Sequence, residues 1–329
     1  MPLKHTFTNP KSDGGDATVV RPSDWNADHI VDSGGMLMVA GSSDPTAPAS
    51  SRLLFYAKLV AGRSVPKIIG PTGIDSMLQN FIGQDKVAWW SAPGNATTVP
   101  TVSGAAALAA ATAGTAINVA TTNMVTRMKR IRYSSAATAS AINSARAGVA
   151  QFTLGVPGAI NLGGFFFVLR FALANAATYT PGSTTGGRGF FGIWATTSAP
   201  TLVEPSTLIN VIGVGFGASD SNLRVFSGGS VAQASVDLGT NFPVNTLNVD
   251  AYELILFAPP TANNVVNYKV TRLNTGHVAE GTLTAATPGL QLPLNTTLLS
   301  APVCWVGNNS ALLVIQAFDF ISAYISTDN

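Results

Sequence analysis

The sequence predicts an all-β protein whose larger part is a β-sandwich or jelly roll. Three observations carry that expectation. Strand-sized apolar runs recur between turns rich in Gly, Pro and Asn, with 32 Gly and 19 Pro in all, the signature of many short strands in packed sheets. Charged residues make up only 10% of the 329-residue chain, against about 25% in an ordinary soluble domain. That poverty disfavours long exposed helices, which carry Glu and Lys at i,i+4 spacing. Finally, no stretch keeps a convincing amphipathic helical period beyond a few turns. The Ala-rich run 104–120 has helical propensity, but Gly104, Gly114 and its Thr residues weaken it.

Residues 1–35 read as a polar segment, punctuated by Gly14-Gly15 and Gly34-Gly35. Lys4, Lys11 and Arg21 stand against Asp13, Asp16, Asp24, Asp28 and Asp32, so the segment is net negative. Within GDATVVRPSDWNADHIV (15–31), ATVV suits a short strand and Pro22 holds Arg21 extended. SDWNADH allows one helical turn capped by Ser23, which puts Trp25 and His29 on one side. Trp25 has no apolar partner within the segment. Such a stretch is either a disordered tail or a peptide that fits into another protein.

Residues 36–85 read as a small β module. MLMVAG, RLLFYAKLVAG and VPKIIG are strand-sized, separated by SSDPTAPASS and followed by GPTGID. From residue 86 to 329 the strands accumulate into the sandwich. In 165–174 the residues Phe165, Phe167, Leu169, Phe171 and Leu173 alternate with Phe166 and Val168, as in a central strand. YELILFA resembles it. Val265 to Leu273 alternates Val266, Tyr268 and Val270 with Asn267, Lys269 and Thr271, and the NTGH turn makes 265–284 a hairpin. VIGVGFG, LRVFSGG, LLVIQAF and FISAYIS supply further strands.

Composition narrows the chemistry. A net charge of +2 gives no general electrostatic case for nucleic acid or a membrane surface as partner. The start MPLKHTFTNPKSDGG has no apolar core of a secretory signal. No apolar run is long enough to insert into a membrane, so synthesis in the cytoplasm is expected. The one cysteine, Cys304 in APVCWVG, reads as a buried, inert thiol.

No catalytic residue, cofactor-binding residue or metal ligand is assigned. His5, His29 and His277 have no nucleophile context, and neither HExxH nor paired-Cys spacing occurs. Gly213, Gly215 and Gly217 lack the dinucleotide spacing; they fit a strand with a glycine face where something packs closely or the sheet bends. The carboxyls that a glycan hydrolase would need are available among Glu204, Asp220, Asp237, Asp250, Glu253, Glu280, Asp319 and Asp328, without any visible pairing. Glu253, between apolar neighbours, is expected to pair with a nearby Arg. Arg127, Lys129, Arg130 and Arg132 form the one basic cluster, a surface contact if one bulge puts all four outward with Met128, Ile131 and Tyr133 inward. A helix suits Met124, Met128 and Ile131 equally, and ion pairing between strands or subunits is the favoured role. Of Trp89 and Trp90, adjacent on a strand, at most one can face the core. The other lies at an interface or offers a stacking surface to a sugar. Trp194 and Trp305 read as core.

GDATVVRPSDWNADHIV resembles the N-terminal segment of bacteriophage tail fibres, tailspikes and other tail appendages. RLLFYAKLVAGRSVPKIIGPTGIDSMLQ, KVAWWSAPGNATTVP, NVIGVGFGASDSNLRVFSGGS, YELILFAPP and VTRLNTGHVAEGTL extend the resemblance to a tail module ending in a jelly-roll, concanavalin- or lectin-like sandwich. The resemblance implies virion attachment through residues 1–35, with Pro22, Trp25, Asn26 and His29 as docking residues. An indole anchor with an acidic rim suits docking. It further implies a homotrimeric structural protein of the virion, in the tail or collar, whose partners are other virion proteins and a host surface glycan or receptor. No catalytic residue is carried over, and the β-helical repeat of tailspike depolymerases is not seen, so no enzymatic activity is expected. A collar, neck or head fibre with an architectural role is the alternative, and a glycan hydrolase a more distant one.

Overall fold

The computed structural model describes residues 40–49, 52–71, 87–100, 105–159, 162–174, 186–244, 249–308 and 314–327, and the backbone alone at 75–77 and 101–102. The expected docking residues Pro22, Trp25, Asn26 and His29, with the whole of 1–35, lie outside the described residues. The described chain divides into two compact units, a smaller one within residues 40–59 and 64–77 and a larger one of 60–63 and 87–327.

The smaller unit holds most of a three-stranded sheet of β1 (Leu54–Val60), β2 (Arg63–Ile69) and β3 (Asp75–Met77), in that order. Ala61 and Gly62, with φ of 48° and 79°, make the two-residue turn that matches the twist of a hairpin. Asp44 crosses to the sheet, accepting from Tyr56 Oη at 2.8 Å, from Lys67 Nζ at 3.4 Å and from the Lys58 amine.

In the larger unit the strands follow as β4 (Val87–Ser91), β5 (Thr101–Val102), β6 (Leu108–Ala110), β7 (Thr115–Ile117), β8 (Arg130–Ser134), β9 (Ile142–Ala147) and β10 (Phe165–Leu173). Next come β11 (Arg188–Trp194), β12 (Val211–Phe216), β13 (Arg224–Gly228), β14 (Val236–Asp237) and β15 (Ala251–Ala258). The last four are β16 (Val265–Arg272), β17 (His277–Thr284), β18 (Ser300–Gly307) and β19 (Ala317–Thr327). One α-helical turn, α1 (Met124–Arg127), and a 3-10 turn at Pro205–Thr207 are the helical elements among the described residues. The fold is all-β, as the composition requires.

Two antiparallel sheets form the sandwich. The nine-stranded sheet runs β17-β16-β15-β10-β19-β4-β5, with β8 also on β19 and β7 on β8. The seven-stranded sheet runs β14-β13-β12-β11-β18-β9-β6. Alternation along β10 sends Phe165, Phe167, Leu169, Phe171 and Leu173 into the core between the sheets. There they meet Phe191, Ile212, Val214, Phe216 and Cys304 of the other sheet. The Phe171 and Phe191 rings stack across the gap at 4.1 Å. Fully burying each such side chain stabilises the fold by about 1.5–3 kcal/mol.

Three expectations meet the structure here. The 265–284 hairpin is β16 and β17, paired from Val265↔Thr284 to Arg272↔His277. The glycine strand is β12, where a Cβ on Gly213 would lie 2.5 Å from the Phe191 carbonyl oxygen and one on Gly215 2.2 Å from that of Gly189. Close approach, not phosphate binding, explains those glycines. The Ala-rich run is not helical: it supplies β6 and β7 to the two sheets. Gly114 lets β7 approach β8, since a Cβ there would sit 2.4 Å from Ile131 Cγ2.

Candidate functional site

The basic cluster is split by local structure. Asn123 caps α1 by accepting from Thr126 N at 2.9 Å, and Thr126 Oγ1 accepts in return from Asn123 N. The chain then extends as β8, whose Ile131 and Tyr133 enter the core. Arg130 and Arg132 therefore share the opposite face, where they meet Asp319 of β19. Arg130 Nε donates to Oδ2 at 3.0 Å; Arg132 Nε donates to Oδ1 at 2.7 Å and its Nη2 to Oδ2 at 2.9 Å. Arg130 Nη1 also donates to the carbonyls of Val125, Thr126 and Met128, each at 3.1 Å, satisfying the end of α1. The surface-contact expectation is thus corrected for Arg130, which is buried, and Arg132, which is half-buried. Arg127 and Lys129 are exposed. Helix α1 covers this patch, with Val125 packed against Ala172, Ala251 and Ile321, and Arg130 is the cation of the cluster whose contacts hold it there.

The Trp pair separates as strand alternation requires. Trp90 is 1% exposed and donates Nε1 to the Ala106 carbonyl at 2.8 Å. Trp89 is 39% exposed and lies opposite Tyr324 of β19 on the outer face. Trp305 is fully buried, while Trp194 is only half-buried and donates to the Ile209 carbonyl at 3.1 Å. Glu253 pairs across strands with Arg170, Nε to Oε2 at 2.6 Å, the structural partnership anticipated. Cys304 is enclosed, and burial pushes its thiol well above the ordinary range. Burial, aided by the neighbouring Cys304, raises Tyr133 to about 12.

A third set of residues converges without any local signal in the sequence. At the β14 edge of the seven-stranded sheet, Arg224 and Asp237 are directly opposed. Arg224 Nη1 donates to Asp237 Oδ2 at 3.0 Å and reaches Asp220 Oδ1 at 3.5 Å, while Nε donates to Ser235 Oγ at 2.7 Å. Asp220 Oδ2 accepts from Gly217 N at 2.7 Å. Glu204 accepts from Arg188 Nε at 2.5 Å and from Ala218 N at 3.3 Å. Gly217 is therefore pinned between two carboxylates; a Cβ there would lie 2.5 Å from Glu204 Oε2 and 3.2 Å from Asp220 Oδ2. Glu204, Gly217, Asp220, Arg224 and Ser235 line a cleft of about 480 Å³ together with Ser206 and Ser219.

This cleft brings together Glu204 and Asp220 from the sequence-level carboxyls, and Asp237 pairs with its Arg224. Asp319 and Asp250 lie elsewhere, Asp250 fully buried with Arg272 Nε at 2.8 Å from its Oδ1. Asp328 lies outside the described residues. The Glu204 and Asp220 oxygens already accept from guanidinium or backbone N–H donors, an arrangement suited to fixed hydrogen-bond recognition. Among the described residues no group of three or more His, Cys, Asp or Glu side chains is placed to hold a metal ion, and no helix is long and apolar enough to cross a membrane.

The sequence matches no family model and no curated protein. Among solved structures, lectin II from Ulex europaeus superposes with a TM-score of 0.46 at 11% identity, over 75% of this chain and 100% of that one. Lectin I from Ulex europaeus gives 0.45 at 10% identity, over 74% and 98%. A protein of unknown function from Shewanella oneidensis MR-1 gives 0.43 at 10% identity, over 76% and 90%.

Proposed function

We propose that this chain is a structural protein of a bacteriophage virion, a non-catalytic tail fibre. Its N-terminal segment attaches to the tail, and its C-terminal sandwich contacts a glycan or receptor on the host surface. The observation that carries the reading is GDATVVRPSDWNADHIV: a coreless, net-negative peptide with one indole, resembling the attachment segments of tail appendages and joined to an all-β body. The charge-poor sandwich supports an extracellular adhesive role, because its surface offers hydroxyls and amides rather than charge. A few fixed polar groups are what a hydroxyl-rich ligand requires for orientation.

Assembly as a homotrimer is part of the proposal. The exposed apolar side chains Leu53, next to β1, and Phe55 and Leu59 within it are consistent with subunit contact. Removal of residues 1–32 is expected to leave a folded trimer, by light scattering, that still binds host cells and no longer enters particles. Normal incorporation of the truncated chain would refute the attachment role. A folded full-length chain that neither binds host cells nor blocks infection would assign it instead to an architectural fibre.

A further inference from the structure

We propose that the cleft beside β13 and β14 binds a neutral saccharide, its hydroxyls held between the Arg224 guanidinium and the Asp220 and Glu204 carboxylates. The inference rests on the proposed contact of the sandwich with host glycans, and it names the site and the ligand chemistry.

The lining selects the class of ligand. Two carboxylates and one guanidinium face the cleft, with serines beside them. That excess of negative charge opposes phosphate, sulfate and acidic sugars. A purely apolar ligand would strip water from all of these groups without replacing their hydrogen bonds. Hydroxyls do better, since each donates to a carboxylate and accepts from a guanidinium. A volume of about 480 Å³ falls in the range of small-molecule sites, roughly 300–1,000 Å³.

The polar groups are also fixed in advance. Asp220 is held by Gly217 N and Glu204 by Ala218 N and Arg188. A carboxylate offers about four acceptor directions, and these contacts leave some of them open toward the cleft. Arg224 commits Nε to Ser235 and Nη1 to the two aspartates, leaving the Nη2 donors of its fork. Because the protein holds these groups itself, a sugar would not have to order them on binding.

The full chain, titrated by saturation-transfer NMR with methyl glycosides of glucose, galactose, mannose and N-acetylglucosamine at millimolar concentration, tests this. At least one probe is expected to bind. Arg224→Gln should weaken it by about tenfold or more, the loss expected for a charge-assisted hydrogen bond. Ser219→Trp, which obstructs an exposed rim position and leaves the ion pairs intact, should abolish binding without lowering the melting temperature. Trp89→Ala should bind as the parent does. Parent-like binding by both cleft variants, or loss in Trp89→Ala alone, overturns the cleft as the site while leaving glycan recognition by the sandwich in place. Binding to host cells with none of the four probes also overturns the proposal. Failure of both measurements removes the host-contact reading with it.

Discussion

Two arginine–carboxylate contacts in this chain involve the same chemical groups and differ in what their loss would cost. Asp319 is fully buried between Arg130 and Arg132, so Asp319→Ala leaves two guanidinium groups facing a desolvated pocket. Removing one partner of a buried ionic cluster costs about 3–5 kcal/mol, and urea unfolding of this variant should show a midpoint lowered accordingly. Arg170 is 47% exposed beside Glu253, where water competes for both charges. Glu253→Gln should therefore change stability by less than about 1 kcal/mol. Trp89 and Trp90 make a parallel contrast. Trp90→Ala opens a core cavity and loses the Ala106 hydrogen bond, which should cost about 3–5 kcal/mol. Trp89→Ala, at a side chain 39% exposed on the outer face, leaves no core cavity and should shift the same unfolding curve markedly less. An outcome with the two tryptophans reversed would contradict the strand register.

At the scale of elements, pattern and covering decide together. The alternation in β10 and β16 predicts which side chains enter the core because a strand has a period of two and one face is buried. Helix α1 has too little length for propensity to stabilise it. Its ends are satisfied instead by the Asn123–Thr126 capping box and by the Arg130 guanidinium, and its one buried residue, Val125, is held by the sheet beneath. The small three-stranded sheet is tied differently, through Asp44. Burial alone would raise its carboxyl, but hydrogen bonds from Lys58 and Tyr56 and the charges of Lys67 and Lys58 bring it down to about 2 from 3.8. A depressed carboxyl stabilises the fold above its unfolded value and loses that contribution as pH falls through the folded one. Asp44→Asn should thus flatten the acid limb of the stability curve of this unit between 3.8 and about 2. With the side chain 41% exposed, the effect is at most about 1 kcal/mol, and added salt should reduce it.

On the scale of the whole molecule, the sandwich explains why so little charge suffices. Among the described residues, sheets of nine and seven strands with both inner faces apolar place the long hydrophobic runs between them, and a second cluster of Phe190, Val211, Phe226, Val303 and Trp305 lies outside that core, covered by Leu202, Val203 and Leu208. Strand β12 is consequently buried on both faces, which is why its sequence, VIGVGF, shows glycines where an exposed strand would show polar side chains. The same covering segment carries Glu204 to the cleft. Truncation before residue 33 tests the molecule at this scale, because a self-sufficient sandwich should survive loss of the N-terminal segment.

The fold class, the β16–β17 hairpin, the inward row of β10, the division of labour between Trp89 and Trp90 and the pairing of Glu253 were all legible from sequence, since each follows from a local period or from the cost of burying a lone charge. The Ala-rich strands were not, because Ala and Gly have no side-chain pattern to read and Gly114 is selected by a contact with β8. Nor was the cleft, whose Glu204, Asp220 and Arg224, with their partners Arg188 and Asp237, are joined only when β11 to β14 align. Local composition therefore determined the strands and their faces. Tertiary structure alone decided which distant charges meet, because antiparallel pairing, not sequence spacing, sets the distances between side chains on neighbouring strands.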